Sequence, residues 1–172
     1  MTTISKDEKP QTGTSEKYLT FNLGKEQYGI QILKIKEIIG LMDITKVPRT
    51  PEFVRGVINL RGKVIPVIDL RTKFGMEKID DTEQTCIIVI DIVIDDNPVQ
   101  MGIIVDSVSE VLDIPQMDIE ETPSFGTLVK TEFIKGIAKT KGGVKILLNI
   151  EEILTKSEII KLPHAGESSP EK

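Results

Sequence analysis

Side chains that commonly carry out chemistry are sparse in this sequence. The only histidine, His164, lies in a polar stretch near the C-terminus, which excludes histidine-activated nucleophiles and multi-histidine metal sites. The only cysteine, Cys86, lies in the apolar run "TCIIVIDIVI", where a small buried side chain is a better interpretation than a reactive thiol. We therefore predict no catalytic residue, no metal site and no disulfide.

Carboxylates are the exception, because several lie on or near predicted strands of the second half. Acidic residues in such positions usually form turns or solvated faces, so we assign them no acid–base or metal role; they are Asp91, Asp95, Asp96, Asp106, Asp113 and Asp118. The sequence contains neither a phosphate-binding loop with its lysine nor a strand–GxGxxG–helix unit. No cofactor is predicted, and the remaining class is a binding module.

Length and composition limit the choice further. A chain of 172 residues suits one domain, or two small ones that share a core. Residues 1–17 and 163–172 are polar and are predicted to be disordered tails around a folded part at 18–162. The sequence shows no signal peptide and no membrane-spanning stretch, so we expect a cytoplasmic protein. A net charge of −5 and 4% aromatic residues argue against a nucleic-acid partner.

The folded part consists mainly of short runs rich in isoleucine and valine, separated by Gly, Pro, Asp and Asn. This pattern predicts an all-β fold with many short strands, which is typical of a barrel or sandwich. Helical signals are fewer: "ILKIKEIIGL" predicts a short helix or an irregular turn, and "DLRTKFGM" and "NIEEILTKSEIIKL" predict short helices.

An internal repeat refines this prediction. A shift of 80 residues aligns "EFVRGVINLRGKVIPVIDLRTKF" with "EFIKGIAKTKGGVKILLNIEEIL", and a shift of 73 aligns "QYGIQILKIKEII" with "QMGIIVDSVSEVL". The alignment pairs Glu37 with Glu110 and Arg61 with Lys141. Each copy is too small for a roomy interior, so we predict two small closed barrels packed on one another.

The stretch "GVINLRGKVIPVIDL" is predicted to be a β-hairpin with Arg61 at its tip. Its return strand has no polar face, so one face fills a barrel and the other lies against the second barrel or a partner. Two interpretations of Glu37 and Arg61 remain open. They are either solvated surface charges, or Glu37 orients the Arg61 guanidinium as an interface anchor.

Three separated segments resemble one known family. "TPEFVRGVINLRGKVIPVIDLRTKFG", with "QYGIQILKIKEII" before it and "MGIIVDSVSEVL…EFIKGI" after it, is similar to the CheW family of chemotaxis coupling proteins. The resemblance runs from about Tyr18 to Leu162. It implies two intertwined five-stranded SH3-like β-barrels and a non-enzymatic adaptor of two-component signal transduction, monomeric in isolation. Such a protein binds the cytoplasmic tip of chemoreceptors and the regulatory domain of the histidine kinase CheA, and it is recruited to membrane-associated receptor arrays without inserting into the membrane.

The resemblance also implies positions for partner binding. Carried over by position, they are Ile35, Glu37, Gly56, Arg61, Val105, Val108 and Phe125. Val105 and Val108 match the groove between the barrels where a receptor helix lies, and Phe125 matches an aromatic residue of the kinase and coupling-protein rings. For Phe125, local packing within its loop is the alternative. For the whole chain, the alternative function is a small β-barrel that binds another ligand or nucleic acid.

Overall fold

A computed structural model describes residues 14–121 and 133–155 of the chain. The expectations for Phe125, His164 and most of both predicted tails therefore lie outside the described residues. The described part consists mainly of strands with two short α-helices, so the all-β prediction is confirmed. The strands are β1 (Ser15–Leu23), β2 (Glu26–Gln31), β3 (Ile35–Gly40), β4 (Val54–Leu60), β5 (Lys63–Asp69), β6 (Cys86–Ile94), β7 (Asn97–Val105), β8 (Ser107–Pro115), β9 (Ile119–Glu120), β10 (Ile134–Thr140) and β11 (Gly143–Leu148).

The helical segments follow local sequence signals. Helix α1 (Leu70–Lys73) begins after Asp69, whose carboxylate accepts a hydrogen bond from the Thr72 backbone N–H, as an N-cap residue does. Helix α2 (Ile150–Thr155) holds the same position in the second half of the repeat. The stretch "ILKIKEIIGL" forms a single 3₁₀ turn at Ile32–Lys34 and then enters β3. Positions along β3 alternate between half-buried and exposed, as in a half-buried strand, with Ile35 and Ile39 on the half-buried face and Ile38 on the exposed one.

The strands form two sheets. The five-stranded sheet has the order β3-β6-β7-β5-β4, and the six-stranded sheet has the order β9-β10-β11-β2-β1-β8. The sixth strand, β9, is only two residues long, and its counterpart in the other sheet is a single bridge between Thr45 and Val57. Strand β1 begins at Ser15, three residues before the predicted start of the folded part.

The repeat seen in the sequence is visible in the strand register. Val67 on β5 faces Gly102 on the parallel strand β7, and their counterparts Leu147 on β11 and Gly29 on β2 face each other in the same way. Each of these parallel pairs joins a strand of one copy to a strand of the other. The two copies therefore exchange strands, and neither sheet is built from one copy alone.

Over residues 14–121 and 133–155, apolar side chains gather in three clusters. The largest lies between the sheets and includes residues of both, such as Phe21 and Ile103. A second cluster is made by residues of the five-stranded sheet alone, and both edge strands contribute to it, with Ile39 from β3 and Ile58 from β4. A third belongs to the six-stranded sheet, with Ile119 from β9 and Ile114 from β8. Because both edges of each sheet meet over one cluster, each sheet curls into a small barrel; we call them barrel 1 (five strands) and barrel 2 (six strands).

Candidate partner-binding surface

Glu37 and Arg61 form a paired carboxylate and guanidinium on barrel 1. Arg61 Nη1 donates to Glu37 Oε2 at 2.6 Å, and Arg61 Nη2 donates to Glu37 Oε1 at 2.8 Å. Two parallel hydrogen bonds of this kind fix the guanidinium plane as well as its position. These bonds lower the pKa of the Glu37 carboxyl below its ordinary value and raise the pKa of Arg61.

The pair joins the two edges of barrel 1. Glu37 lies on edge strand β3, and Arg61 lies in the turn that follows the other edge strand, β4. Directly before the turn, Leu60 packs against the cluster inside the barrel. The Arg61 side chain nevertheless remains 68% exposed, whereas that of Glu37 is 24% exposed. The arginine is thus held in one orientation while most of its surface faces solvent.

The turn itself requires an unusual backbone conformation. Arg61 and Gly62 have φ angles of 54° and 88°, and positive values at both central residues of a two-residue hairpin turn define a type I′ turn. The Asn59 side-chain oxygen accepts a hydrogen bond from Gly62 N at 2.8 Å and stabilises the turn. Asn59 is a contributor that the sequence reasoning missed, although asparagine close to such a turn is a known signal.

The second copy of this turn differs in two ways. Its positive φ, 108°, falls on Gly143, whereas Lys141, the counterpart of Arg61, has no positive φ. Within the described residues, neither Lys141 nor Glu110 forms an ion pair. The asymmetry between the copies therefore includes the loss of the ion pair and a change in the turn.

Gly56 is required by packing inside barrel 1. Its φ is 142°, and a Cβ atom built there would lie 2.1 Å from the Thr45 carbonyl oxygen. Thr45 approaches so closely because it exchanges two backbone hydrogen bonds with Val57, each of 2.9 Å. The structure gives Gly56 a backbone role, and Thr45, which the sequence reasoning did not select, is the residue that imposes it.

Ile35 and Val108 are counterparts in the repeat, 73 residues apart. Both are half-buried and pack against the cluster between the barrels. Val105 also belongs to that cluster, but it is 1% exposed. Val105 therefore belongs to the interior of the cluster, while Ile35 and Val108 expose part of their own area to solvent.

Groups suited to chemistry are dispersed over the described residues. Among residues 14–121 and 133–155, no three His, Cys, Asp or Glu side chains lie close enough to hold a metal ion. Burial raises the pKa of the half-buried Cys86 thiol, which disfavours the reactive thiolate. In the same part of the chain, no helix is long and apolar enough to cross a membrane.

Comparison with known proteins identifies the family. A model of the CheW-like domain matches residues 17–158. The chain belongs to the CheW family. A chemotaxis protein CheW from Klebsiella aerogenes is 37% identical over 153 residues, covering 89% of this chain and 90% of that protein. A chemotaxis protein CheW from Helicobacter pylori is 37% identical over 140 residues, or 81% of each chain.

A solved structure agrees with this assignment. The crystal structure of the scaffolding protein TtCheW from Thermoanaerobacter tengcongensis matches with a TM-score of 0.77 and 36% identity, covering 88% of this chain and 99% of that one. CheW proteins are non-enzymatic adaptors, and this chain is accordingly a coupling or scaffold protein of chemotaxis that interacts with signalling components. The family resemblance found in the sequence is confirmed, and the alternative of a barrel for another ligand or nucleic acid is not favoured.

Proposed function

We propose that this CheW-family chain links the cytoplasmic tips of chemoreceptors to the regulatory domain of the histidine kinase CheA. In this role it places kinase activity under receptor control and helps to assemble the signalling array. In this proposal the protein does not insert directly into the membrane, and receptor binding recruits it from the cytoplasm to the membrane-associated array. We also propose that it is a monomer before it meets its partners.

The observation that carries the proposal is the geometry of Arg61. Two hydrogen bonds that Arg61 donates to the Glu37 carboxylate fix the guanidinium, yet 68% of the arginine side chain is exposed. Arginine is enriched among the residues that dominate interface energies, because its planar group forms paired hydrogen bonds and stacks on apolar surfaces. A fixed arginine also loses little side-chain entropy on binding. Arg61 therefore suits an anchor that is already in its bound orientation.

The receptor contact is proposed for the surface between the barrels. Ile35 and Val108 pack against the central cluster and are half-buried, and Val105 belongs to that cluster. An amphipathic receptor helix would place its apolar face along such a surface, as helices do in hydrophobic grooves. Phe125, which lies outside the described residues, is proposed as the contact with the kinase in array rings. Gly56 contributes through the backbone of barrel 1.

A binding experiment tests this assignment. Purified chain is mixed with the CheA regulatory domain and, separately, with a receptor tip fragment, and complexes are captured and quantified. We expect Arg61→Glu to lose binding to at least one partner while its unfolding midpoint stays close to that of the unmodified protein. Lys25→Glu is the matched control, because it reverses an exposed charge in another hairpin turn, between β1 and β2. Binding of the unmodified chain to neither partner would refute the proposal.

A charge exchange separates contact from architecture. The double variant Glu37→Arg with Arg61→Glu restores opposite charges across the opening of barrel 1, but it moves the guanidinium from the turn to β3. If Arg61 contacts a partner, the double variant binds as poorly as Arg61→Glu. Recovery of full binding would show that the pair serves only to join the barrel edges.

A further inference from the structure

The two barrels differ at one equivalent opening. We call mouth 1 the opening of barrel 1 beside the turn Arg61–Gly62, and mouth 2 the opening of barrel 2 beside the turn Lys141–Gly142. In mouth 1, Leu60 packs with Ile39 and Leu41 over the apolar cluster of barrel 1. A side chain of the β4–β5 hairpin thus packs over the end of this cluster.

Among the described residues, mouth 2 keeps the apolar wall of mouth 1 but has a threonine where mouth 1 has Leu60. Leu112 and Ile114 stand in the positions of Ile39 and Leu41, 73 residues later, and belong to or pack against the cluster of barrel 2. Thr140 replaces Leu60, and its hydroxyl donates a hydrogen bond to the Gly143 carbonyl at 2.7 Å within its own turn. An open cavity of about 370 Å³ remains beside these residues.

The rim of mouth 2 carries three carboxylates and two lysines, and two of the carboxylates, Glu110 and Asp118, form no ion pair among the described residues. Glu110, in the position of Glu37, lines the cavity with Asp113, Asp118, Lys139 and Lys141. Asp113 pairs with Lys17 at 3.6 Å. Lys139, on the same rim, pairs at 2.6 Å with Glu120, which does not line the cavity. In the described residues Glu110 has no cation bound to it. Mouth 2 therefore combines an apolar wall beside an open cavity with a rim carboxylate, Glu110, that has no ion-pair partner in the described residues.

We propose that mouth 2 receives the tip of a partner's β-hairpin, in which an aliphatic side chain is followed directly by an arginine. The aliphatic group fills the space that Leu60 fills in mouth 1, and the arginine binds Glu110 as Arg61 binds Glu37. The cavity lies within the size range of specific binding pockets, about 300–1,000 Å³. Mouth 1 is the model for this contact, because the equivalent strands there pack against Leu60 and Arg61 pairs with Glu37. The inference goes beyond the proposed function and holds whichever proteins bind Arg61.

A hairpin peptide tests the proposal on the full chain. The probe is a cyclised peptide with residues 57–66 of this chain, "VINLRGKVIP", whose hairpin form is first verified by its own NMR spectrum. We expect saturable amide shifts at Leu112, Ile114 and Thr140 when it is added to isotope-labelled protein. A peptide with threonine in place of its leucine should bind about tenfold more weakly, which corresponds to about 1.4 kcal/mol. Equal affinity for the two peptides, or no saturable shift at these amides, would overturn the proposal.

Variants of the protein supply the matched controls. Thr140→Leu places a filling side chain in mouth 2 and should weaken peptide binding at least tenfold, whereas Val144→Thr, on an exposed residue that does not line the cavity, should bind like the unmodified chain. Glu110→Gln should weaken the arginine peptide and leave a glutamine-substituted peptide unaffected. This second comparison decides the matter if Thr140→Leu fails to fold. Unchanged binding of the arginine peptide to Glu110→Gln would contradict the proposed ion pair.

Discussion

Replacement of Gly56 by alanine isolates the packing that shapes the β4–β5 hairpin. The added Cβ would lie 2.1 Å from the Thr45 carbonyl oxygen, so the segment around Thr45 must move away. That movement breaks both 2.9 Å hydrogen bonds between Thr45 and Val57. We expect Gly56→Ala to reduce the free energy of unfolding by several kcal/mol and to leave the chain only marginally stable.

The magnitude follows from two contributions. Two lost backbone hydrogen bonds cost about 2 kcal/mol together, at roughly 1 kcal/mol each. An alanine forced to a φ of 142° adds strain of about 1–3 kcal/mol. The expected loss is therefore about 3–5 kcal/mol, out of a typical total of roughly 5–15 kcal/mol.

Alanine substitutions at two other glycines separate the backbone strain from the effect of the close contact with Thr45. Gly62 has a φ of 88° but nothing within 4 Å of an added Cβ, so Gly62→Ala should show backbone strain alone, about 1–2 kcal/mol. Gly40 has neither a positive φ nor a close neighbour, so Gly40→Ala should change stability by less than about 1 kcal/mol. Urea unfolding of all three variants, followed by circular dichroism, measures the differences. If Gly56→Ala proves as stable as Gly40→Ala, the contact with Thr45 has been misjudged.

Three further predictions concern buried or paired polar groups. Thr20→Val should lower the free energy of unfolding by about 1–3 kcal/mol, because the buried hydroxyl donates to the Glu110 carbonyl at 2.8 Å and accepts from the Glu110 amide at 3.2 Å. Urea unfolding measures this change, and an unchanged midpoint would contradict the prediction. Asp69→Ala removes the cap of α1 and should lower the free energy of unfolding by about 1–2 kcal/mol in the same assay. A decrease of less than about 0.5 kcal/mol would count against the cap. The pKa of Glu37, measured by carboxyl NMR, should lie below its ordinary value of 4.5 and rise in Arg61→Gln, and equal values in both proteins would show that the pair does not form in solution.

The direction of the Glu37 pKa shift determines the pH range in which the ion pair with Arg61 stabilises the fold. Because the pKa of Glu37 is lower in the folded chain than in the unfolded chain, the unfolded state binds more protons as the pH approaches 4.5. The pair therefore contributes its full stabilisation above that pH, and the contribution disappears as the pH falls through the lowered pKa. Arg61→Gln should consequently narrow the stability difference between neutral and acidic solution.

Local features of the structure could be predicted from the sequence because they depend on local chemistry. Runs of isoleucine and valine between turn residues predicted the strands, and the pattern after Asp69 predicted α1. The repeat was also readable, since equal spacing of similar residues produces equal register, as Val67 opposite Gly102 and Leu147 opposite Gly29 show. The structure of the stretch before Gly40 was harder to predict. Its isoleucines are spaced for one face of a helix, but its positions also alternate as in a strand.

The sequence by itself therefore determined the strands, the hairpin tip and the family, since each is encoded in consecutive residues or in their spacing. Only the tertiary structure decided which side chains meet across the fold. It showed that the copies exchange strands, that Arg61 reaches Glu37 whereas Lys141 does not reach Glu110, and that Gly56 is required because of Thr45. These contacts join residues far apart in the chain, and their geometry depends on how each sheet curls. No local pattern contains that information, because the curvature results from the packing of all three apolar clusters together.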